Sequence, residues 1–264
     1  VCRALFQELA VQRKQPFGSC FLEGGQIEQF VKQNLASAPG PTVIKAHMIG
    51  PAALMALRTG KVKAVCTFRD PRDCVASDLV FLNSGLETSL KRVTASMDFL
   101  KYYQSNSNIL LVKYEDMMAD RLGQIRRIAT HLNVPFDDAL ITRVDAKTNI
   151  ESSKKVCREL ASRSPEKLLS YASHRVDPET HLHENHIGTA KVGRWREEFS
   201  FDQALWLTEY FSSWLLQLGY ETQQSLHAAI TSRAPVASVT TPPQQAYNNI
   251  SQVVSPQGRF STAV

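Results

Sequence analysis

Three short runs of apolar and β-branched residues, Thr42 to Ala46, Val62 to Phe68 and Ile109 to Tyr114, constrain the fold more than any other feature of the chain. Each is too short for a helix and each is followed by a segment of helical character, the pattern of buried parallel strands joined by helical crossovers. The alternation predicts a layered α/β fold with a parallel β-sheet core flanked by helices. Apolar stripes fit the helices: Ile27, Phe30, Val31 and Leu35 in one, and Leu207, Tyr210, Phe211, Trp214 and Leu218 in the last. Ser200 with Gln203 predicts a capping box for that last helix, and Gly219 suits its C′ position. Val1 to Ala10 already reads as a helix with Leu5, Phe6 and Leu9 on one side. Open parallel α/β folds normally enter through a strand and a ligand-binding loop, so the expectation is that such an element lies upstream.

At 264 residues and 43% hydrophobic, the chain has the size and apolar content of an ordinary globular protein with one domain or two. Collagen, wholesale disorder and a small disulfide scaffold are excluded. No apolar run is long enough to span a membrane, and Arg3 and Glu8 exclude a signal peptide at Val1 to Ala10. From Ala228 to Val264 the only charges are Arg233 and Arg259 and apolar periodicity ends. Such a stretch buries too little apolar area to offset its ordering entropy. The expected organisation is one domain over 1–227 and a disordered low-complexity tail over 228–264. Cys2, Cys20, Cys66, Cys74 and Cys157 follow no metal or disulfide spacing and read as reduced thiols, hence a cytoplasmic location. The Golgi is the alternative if an anchor precedes Val1.

The strongest motif is Phe68-Arg69-Asp70-Pro71-Arg72-Asp73-Cys74-Val75-Ala76-Ser77. A strand runs into Arg69, Asp70 suits the N-cap and Pro71 the first helical position. Arg69, the free N–H groups of the helix start and the Ser77 hydroxyl then form a receptor for a phosphate. A capped helix with Arg–Asp pairs on a solvated face is the competing reading. At the end of the first run, Lys45 and His47 share a face through the period of two, and strand C-terminal ends line the ligand crevice of a parallel sheet. A histidine there suits general-base work and a lysine can stabilise developing negative charge. Lys113-Tyr114-Glu115-Asp116 ends the third run with an aromatic ring and carboxylates. Later, Gly188 and Gly193 let the backbone approach a ligand, with Lys191, Arg194 and Arg196 beside them. His181, His183 and His186 match no metal-site spacing and read as a polar loop.

Together and in this order, these pieces resemble the sulfotransferases that use 3′-phosphoadenosine 5′-phosphosulfate (PAPS), over nearly all of residues 1–220. Lys45-Ala46-His47 is similar to that family's Lys-Thr-His strand end, and Arg69 with Ser77 to its 3′-phosphate-binding Arg and Ser, eight residues apart. Tyr114-Glu115-Asp116 resembles the Tyr-Glu-Asp motif whose Tyr reaches the adenine. Lys191-Val192-Gly193-Arg194-Trp195-Arg196 is similar to the late segment that closes over the 3′-phosphate. The resemblance implies a P-loop-NTPase-like sulfotransferase fold with PAPS as donor, 3′-phosphoadenosine 5′-phosphate (PAP) as product, and no metal. It also implies His47 as base, Lys45 as stabiliser of the transferring group, and Arg69, Ser77, Tyr114, Lys191 and Gly193 as donor-binding residues. The partner is a small-molecule or glycan hydroxyl or amine acceptor, not nucleic acid or membrane.

Three departures accompany the resemblance. The family's first strand and 5′-phosphosulfate loop are missing ahead of Val1, so weak nucleotide binding and little catalysis are expected of this chain. Gly188-Thr189-Ala190 replaces the family's Arg-Lys-Gly, and Ile150, after Thr148-Asn149, replaces an aromatic ring on the adenine. Glu23 is a rival base, because some branches of the family use a glutamate after the first helix. From other classes, a P-loop nucleotide kinase would need a Mg²⁺-holding carboxylate where Lys45, His47 and Arg69 stand. A polyanion-binding module would need clustered basic residues with interleaved aromatics, whereas the net charge of +5 is spread along the chain among acids.

Overall fold

The expected alternation is the order of elements in the computed structural model, which describes residues 1–231 except 23, 24, 36, 38, 39, 48, 161, 165, 167, 172, 173, 179, 185 and 186. The chain runs α1 (Cys2–Arg13), β1 (Gly18–Phe21), α2 (Gly25–Asn34), β2 (Thr42–Lys45), α3 (Pro51–Arg58), β3 (Ala64–Phe68), α4 (Pro71–Phe81) and α5 (Leu86–Gln104). It continues through β4 (Ile109–Lys113), α6 (Tyr114–Ala119), α7 (Arg121–His131), α8 (Asp138–Thr148) and α9 (Ile150–Leu160). The short strands β5 (Leu169–Tyr171) and β6 (His174–Val176) pair antiparallel, before α10 (Trp195–Glu198), α11 (Phe201–Tyr210), α12 (Ser212–Gln217) and α13 (Gln223–Thr231).

Both longer strand pairs are parallel: Gly18 to Phe21 lies opposite Thr42 to Lys45, and Ala64 to Phe68 opposite Ile109 to Lys113. Among the described residues no ladder joins the two pairs, where the sequence reading expected one sheet. Strand β1 was not expected, because Gly18 and Ser19 give no β-branched signal. Gly18 is nonetheless apt there, since a Cβ would come within 2.9 Å of Thr42 Oγ1 on the neighbouring strand.

The β3–β4 pair is covered on both faces, and its residues divide by the period of two. Val65, Leu110 and Val112 meet one cluster, built from Leu5 and Leu9 of α1, Ile125 and Ile128 of α7, and Leu140 and Ile141 of α8. Cys66, Phe68 and Leu111 meet the other, built from Val75 of α4, Val93, Met97 and Leu100 of α5, and Leu207, Phe211 and Leu215. The pair is therefore the middle layer of an α/β/α stack, and its C-terminal end is fixed from both sides.

Strand ends follow local chemistry. At β3, Pro71 takes the first helical position and the Asp70 carboxylate accepts from Arg72 N at 2.9 Å, so the chain turns at once into α4. Strand β4 stops at Lys113, one residue short of the expectation, because Tyr114 opens α6 with Glu115 and Asp116 in its first turn. The Ser200–Gln203 capping box forms reciprocally, with Gln203 N donating to Ser200 Oγ at 3.3 Å and Ser200 N donating to Gln203 Oε1 at 3.0 Å. The stripe beyond it is divided at Phe211 into α11 and α12, although Phe211 N still donates to Leu207 O at 3.0 Å. Gly219 holds φ 69° after α12, as its C′ reading requires.

Val1–Glu221 forms one compact unit and Thr222–Val264 a second, represented by α13. That helix runs through residue 227, where the composition changes, to Thr231. The remainder of the expected tail, 232–264, lies outside the described residues.

Candidate active site

The C-terminal end of β3–β4 is organised around a carboxylate to which the sequence reading gave no part in the phosphate receptor. Asp73 lies in the first turn of α4, and its side chain is 0% exposed. Its Oδ2 accepts from Arg69 Nη2 at 2.9 Å, Arg69 Nε at 3.2 Å and Gly193 N at 2.8 Å, while Oδ1 accepts from Trp195 N at 2.9 Å. A buried carboxylate needs such compensation. Here the partners come from a segment 120 residues away, which is why sequence spacing could not find it.

Arg69 is held on several sides. Besides Asp73, its guanidinium lies 4.6 Å from the Tyr114 ring centre, and Nη2 also donates to the Lys191 carbonyl. With its side chain 18% exposed, Arg69 makes no hydrogen bond through Nη1 among the described residues. Ser77 lies one turn beyond Asp73 on the same helical face, half-buried, and its hydroxyl also has no partner among the described residues. Two donors therefore remain, Arg69 Nη1 beside the start of α4 and the Ser77 hydroxyl farther along it, on the side where the helix dipole favours an anion.

The late segment closes against this corner through its backbone. Tyr114 Oη donates to the Ala190 carbonyl at 3.0 Å, and burial, the largest influence on it, pushes the phenol above its usual pKa. Ala190 and Gly193 both adopt positive φ, 56° and 75°. At Gly193 a Cβ would meet Arg196 Nη1 at 2.7 Å, so glycine answers both the conformation and the close approach. The Lys191 ammonium points away from Arg69 to pair with Glu197, so this residue meets the corner through its carbonyl. Below the segment, Arg72 is 1% exposed, bonded to Asp70, Thr208 and Glu221, and stacked 4.0 Å under the Trp195 ring, with Arg196 at 4.3 Å from the same ring.

Lys45 and His47 are assembled on the other strand pair. Both flank the Phe21 ring at the end of β1, with the lysine ammonium at 5.4 Å and the exposed imidazole at 5.3 Å from its centre. Lys45 Nζ donates to the His181 carbonyl at 2.9 Å. Phe21 was not singled out in the sequence, and His181 was read there only as part of a polar loop. The histidine loop thus contributes the His181 carbonyl to Lys45 and the His181 ring, 6.3 Å from the Phe21 ring centre, to the same cluster. His181 is buried, and desolvation followed by Lys45 lowers its pKa and keeps it neutral near pH 7. His186 and Glu23 lie outside the described residues. No group of three or more metal-ligating side chains occurs among the described residues, and no described helix is long and apolar enough to cross a membrane.

One helical turn from Tyr114, a cleft of about 280 Å³ is lined by Met117, Met118, Arg121, Asn149, Ile150 and Glu151. Residues 114, 117 and 118 share a face of α6, so the cleft continues the surface that carries the tyrosine. Ile150 forms its wall, where the resemblance expects an aromatic ring.

A family profile, the sulfotransferase domain, matches residues 19–219. The chain belongs to the sulfotransferase family. Mouse Sulfotransferase 2B1 is 23% identical over 158 residues, which are 52% of this chain and 46% of that protein. The chain thus spans about half the length of this curated relative. Among solved structures, mouse sulfotransferase SULT7A1 complexed with PAP superposes with a TM-score of 0.56 at 15% identity, covering 86% of this chain and 84% of that one. Retinol dehydratase in complex with androsterone and inactive cofactor PAP gives 0.50 at 22% identity, covering 69% and 55%. These likenesses establish the fold shared with sulfotransferases, an α/β arrangement with short parallel strands.

Proposed function

We propose that the chain is a PAPS-dependent sulfotransferase that moves a sulfuryl group to the hydroxyl or amine of a small-molecule or glycan acceptor and leaves PAP. The observation that carries this reading is a pair of donors with no partner among the described residues, Arg69 Nη1 beside the N-terminus of α4 and Ser77 Oγ in its second turn. A dianionic ester fits that chemistry better than any neutral group, and the solved relatives are complexes with PAP. Tyr114 and the cleft beyond it offer an aromatic edge and apolar walls for the purine, and Gly193 admits a phosphate close to the backbone. Lys191, whose ammonium pairs with Glu197, would have to leave that carboxylate to add its charge.

Sulfuryl transfer spreads negative charge over peripheral oxygens between an attacking and a leaving oxygen, so positioning and electrostatics dominate. In this reading His47 takes the proton of the acceptor, and Lys45, released from the His181 carbonyl, steadies charge on the transferring group. His47 is exposed and packs edge-on against Phe21. The androsterone in the retinol dehydratase complex is an example of a small hydroxyl-bearing ligand in a protein of this fold. Five free thiols accord with a reducing, cytoplasmic compartment.

In a full-length enzyme assayed with PAPS, His47→Ala is expected to lower kcat by roughly 10²–10⁴-fold while leaving PAP affinity within about twofold. Unchanged turnover removes His47 from the mechanism. Glu23→Gln in the same assay then decides whether the rival carboxylate holds the role.

A further inference from the structure

We propose that Asp73 is a positioning residue of the nucleotide site, setting the Arg69 guanidinium and the Gly193–Trp195 turn in one register so that Arg69 presents Nη1 to a ribose 3′-phosphate. The inference rests on the reading of Arg69 as the phosphate-binding arginine and adds a residue that no motif assigns. Three features carry it. The carboxylate is fully buried and its hydrogen-bond partners among the described residues all belong to the proposed site: two atoms of one arginine and two backbone N–H groups of the late segment. By taking Nε and Nη2, it leaves the Nη1 edge as the one turned to a ligand. By taking Gly193 N and Trp195 N, it anchors the turn whose Lys191 carbonyl reaches the same guanidinium.

Charge and geometry predict opposite signs for the loss of this carboxylate. A negative charge hydrogen-bonded to the binding arginine opposes a dianion, so neutralising it tightens phosphate binding if charge alone matters. If Asp73 orients the arginine, neutralising it weakens binding instead. Asparagine keeps the shape but turns an NH₂ group toward one of the N–H or guanidinium donors and cannot serve all of them.

The test is calorimetric titration with PAP and with adenosine 5′-phosphate, which lacks the 3′-phosphate, on wild type, Asp73→Asn, Arg69→Ala and the double variant. Asp73→Asn is expected to lower the preference for PAP by about tenfold, with adenosine 5′-phosphate affinity changed much less. In the Arg69→Ala background the same substitution should change the preference by less than about twofold, since its route through the arginine is gone. A general loss of packing would weaken both nucleotides alike, and that result, or a preference that is kept or increased, overturns the role. If wild type itself does not distinguish the nucleotides, the reading of Arg69 fails. If wild type distinguishes them and Asp73→Asn does too, only the role of Asp73 fails. Should Asp73→Asn not fold, Gly193→Ala strains the turn with the carboxylate intact, since φ 75° disfavours a side chain there. It should lose the preference too, and retaining it contradicts the proposal.

Discussion

Arg69 and Tyr114 were legible as candidates because each directly follows a strand, and Ser77 because it lies eight residues beyond Arg69 on the helix that follows. Asp73 was not, because a carboxylate in the first turn of a helix has a sufficient local explanation in the dipole. Its burial depends on Gly193 and Trp195, which no spacing rule connects to it. Lys191 shows the converse: its charge drew attention, yet its carbonyl makes the contact. The thiols give a pH prediction at this scale. Burial pushes Cys66 up to about 11 and Cys74 up to about 12. Between roughly pH 8.5 and those values the unfolded chain releases thiol protons that the folded chain retains, so stability must fall as pH rises through this window. The urea midpoint is expected to drop from pH 8 to pH 10, and to drop less in Cys66→Ala/Cys74→Ala. An equal slope in that variant removes the thiols as the cause.

Among the elements, long amphipathic helices and the Asp70–Pro71 helix start were readable because period and capping are local. Strand β1 was not, because its side chains are small and it is recognised only against Thr42 to Lys45. Among the described residues the parallel strands pair as β1–β2 and β3–β4, and such partners are not encoded in apolar runs, because strand pairing is a long-range property. The two caps test which local signals bear weight. Asp70 both caps α4 and neutralises the buried Arg72 guanidinium at 2.8 Å, whereas Ser200 caps α11 at an exposed corner. Asp70→Ala should therefore cost about 2–4 kcal/mol, by removing the cap together with one of the two carboxylates paired with the buried Arg72, and Ser200→Ala about 1 kcal/mol. Urea unfolding of both variants checks this, and equal losses would show that the Asp70–Arg72 pair adds nothing to the cap.

For the whole molecule, order along the chain was the most informative sequence property. Motifs that are individually weak stand in a sequence that few folds share, and three of them, around Arg69, Tyr114 and Gly193, meet at the end of β3–β4. Lys45 and His47 stand at the end of β1–β2 around Phe21, so each strand pair supplies one cluster. The acceptor was not legible, because it is met by loops whose side chains follow no period. The central claim, that Arg69 grips the ester that distinguishes PAP from ordinary adenine nucleotides, is tested most directly by titrating the wild-type chain and Arg69→Ala with PAP and adenosine 5′-phosphate. The wild-type chain should prefer PAP by at least about tenfold, the worth of one charge-assisted hydrogen bond, and Arg69→Ala should abolish most of that preference. Equal wild-type affinities, or a preference that survives in Arg69→Ala, would contradict it.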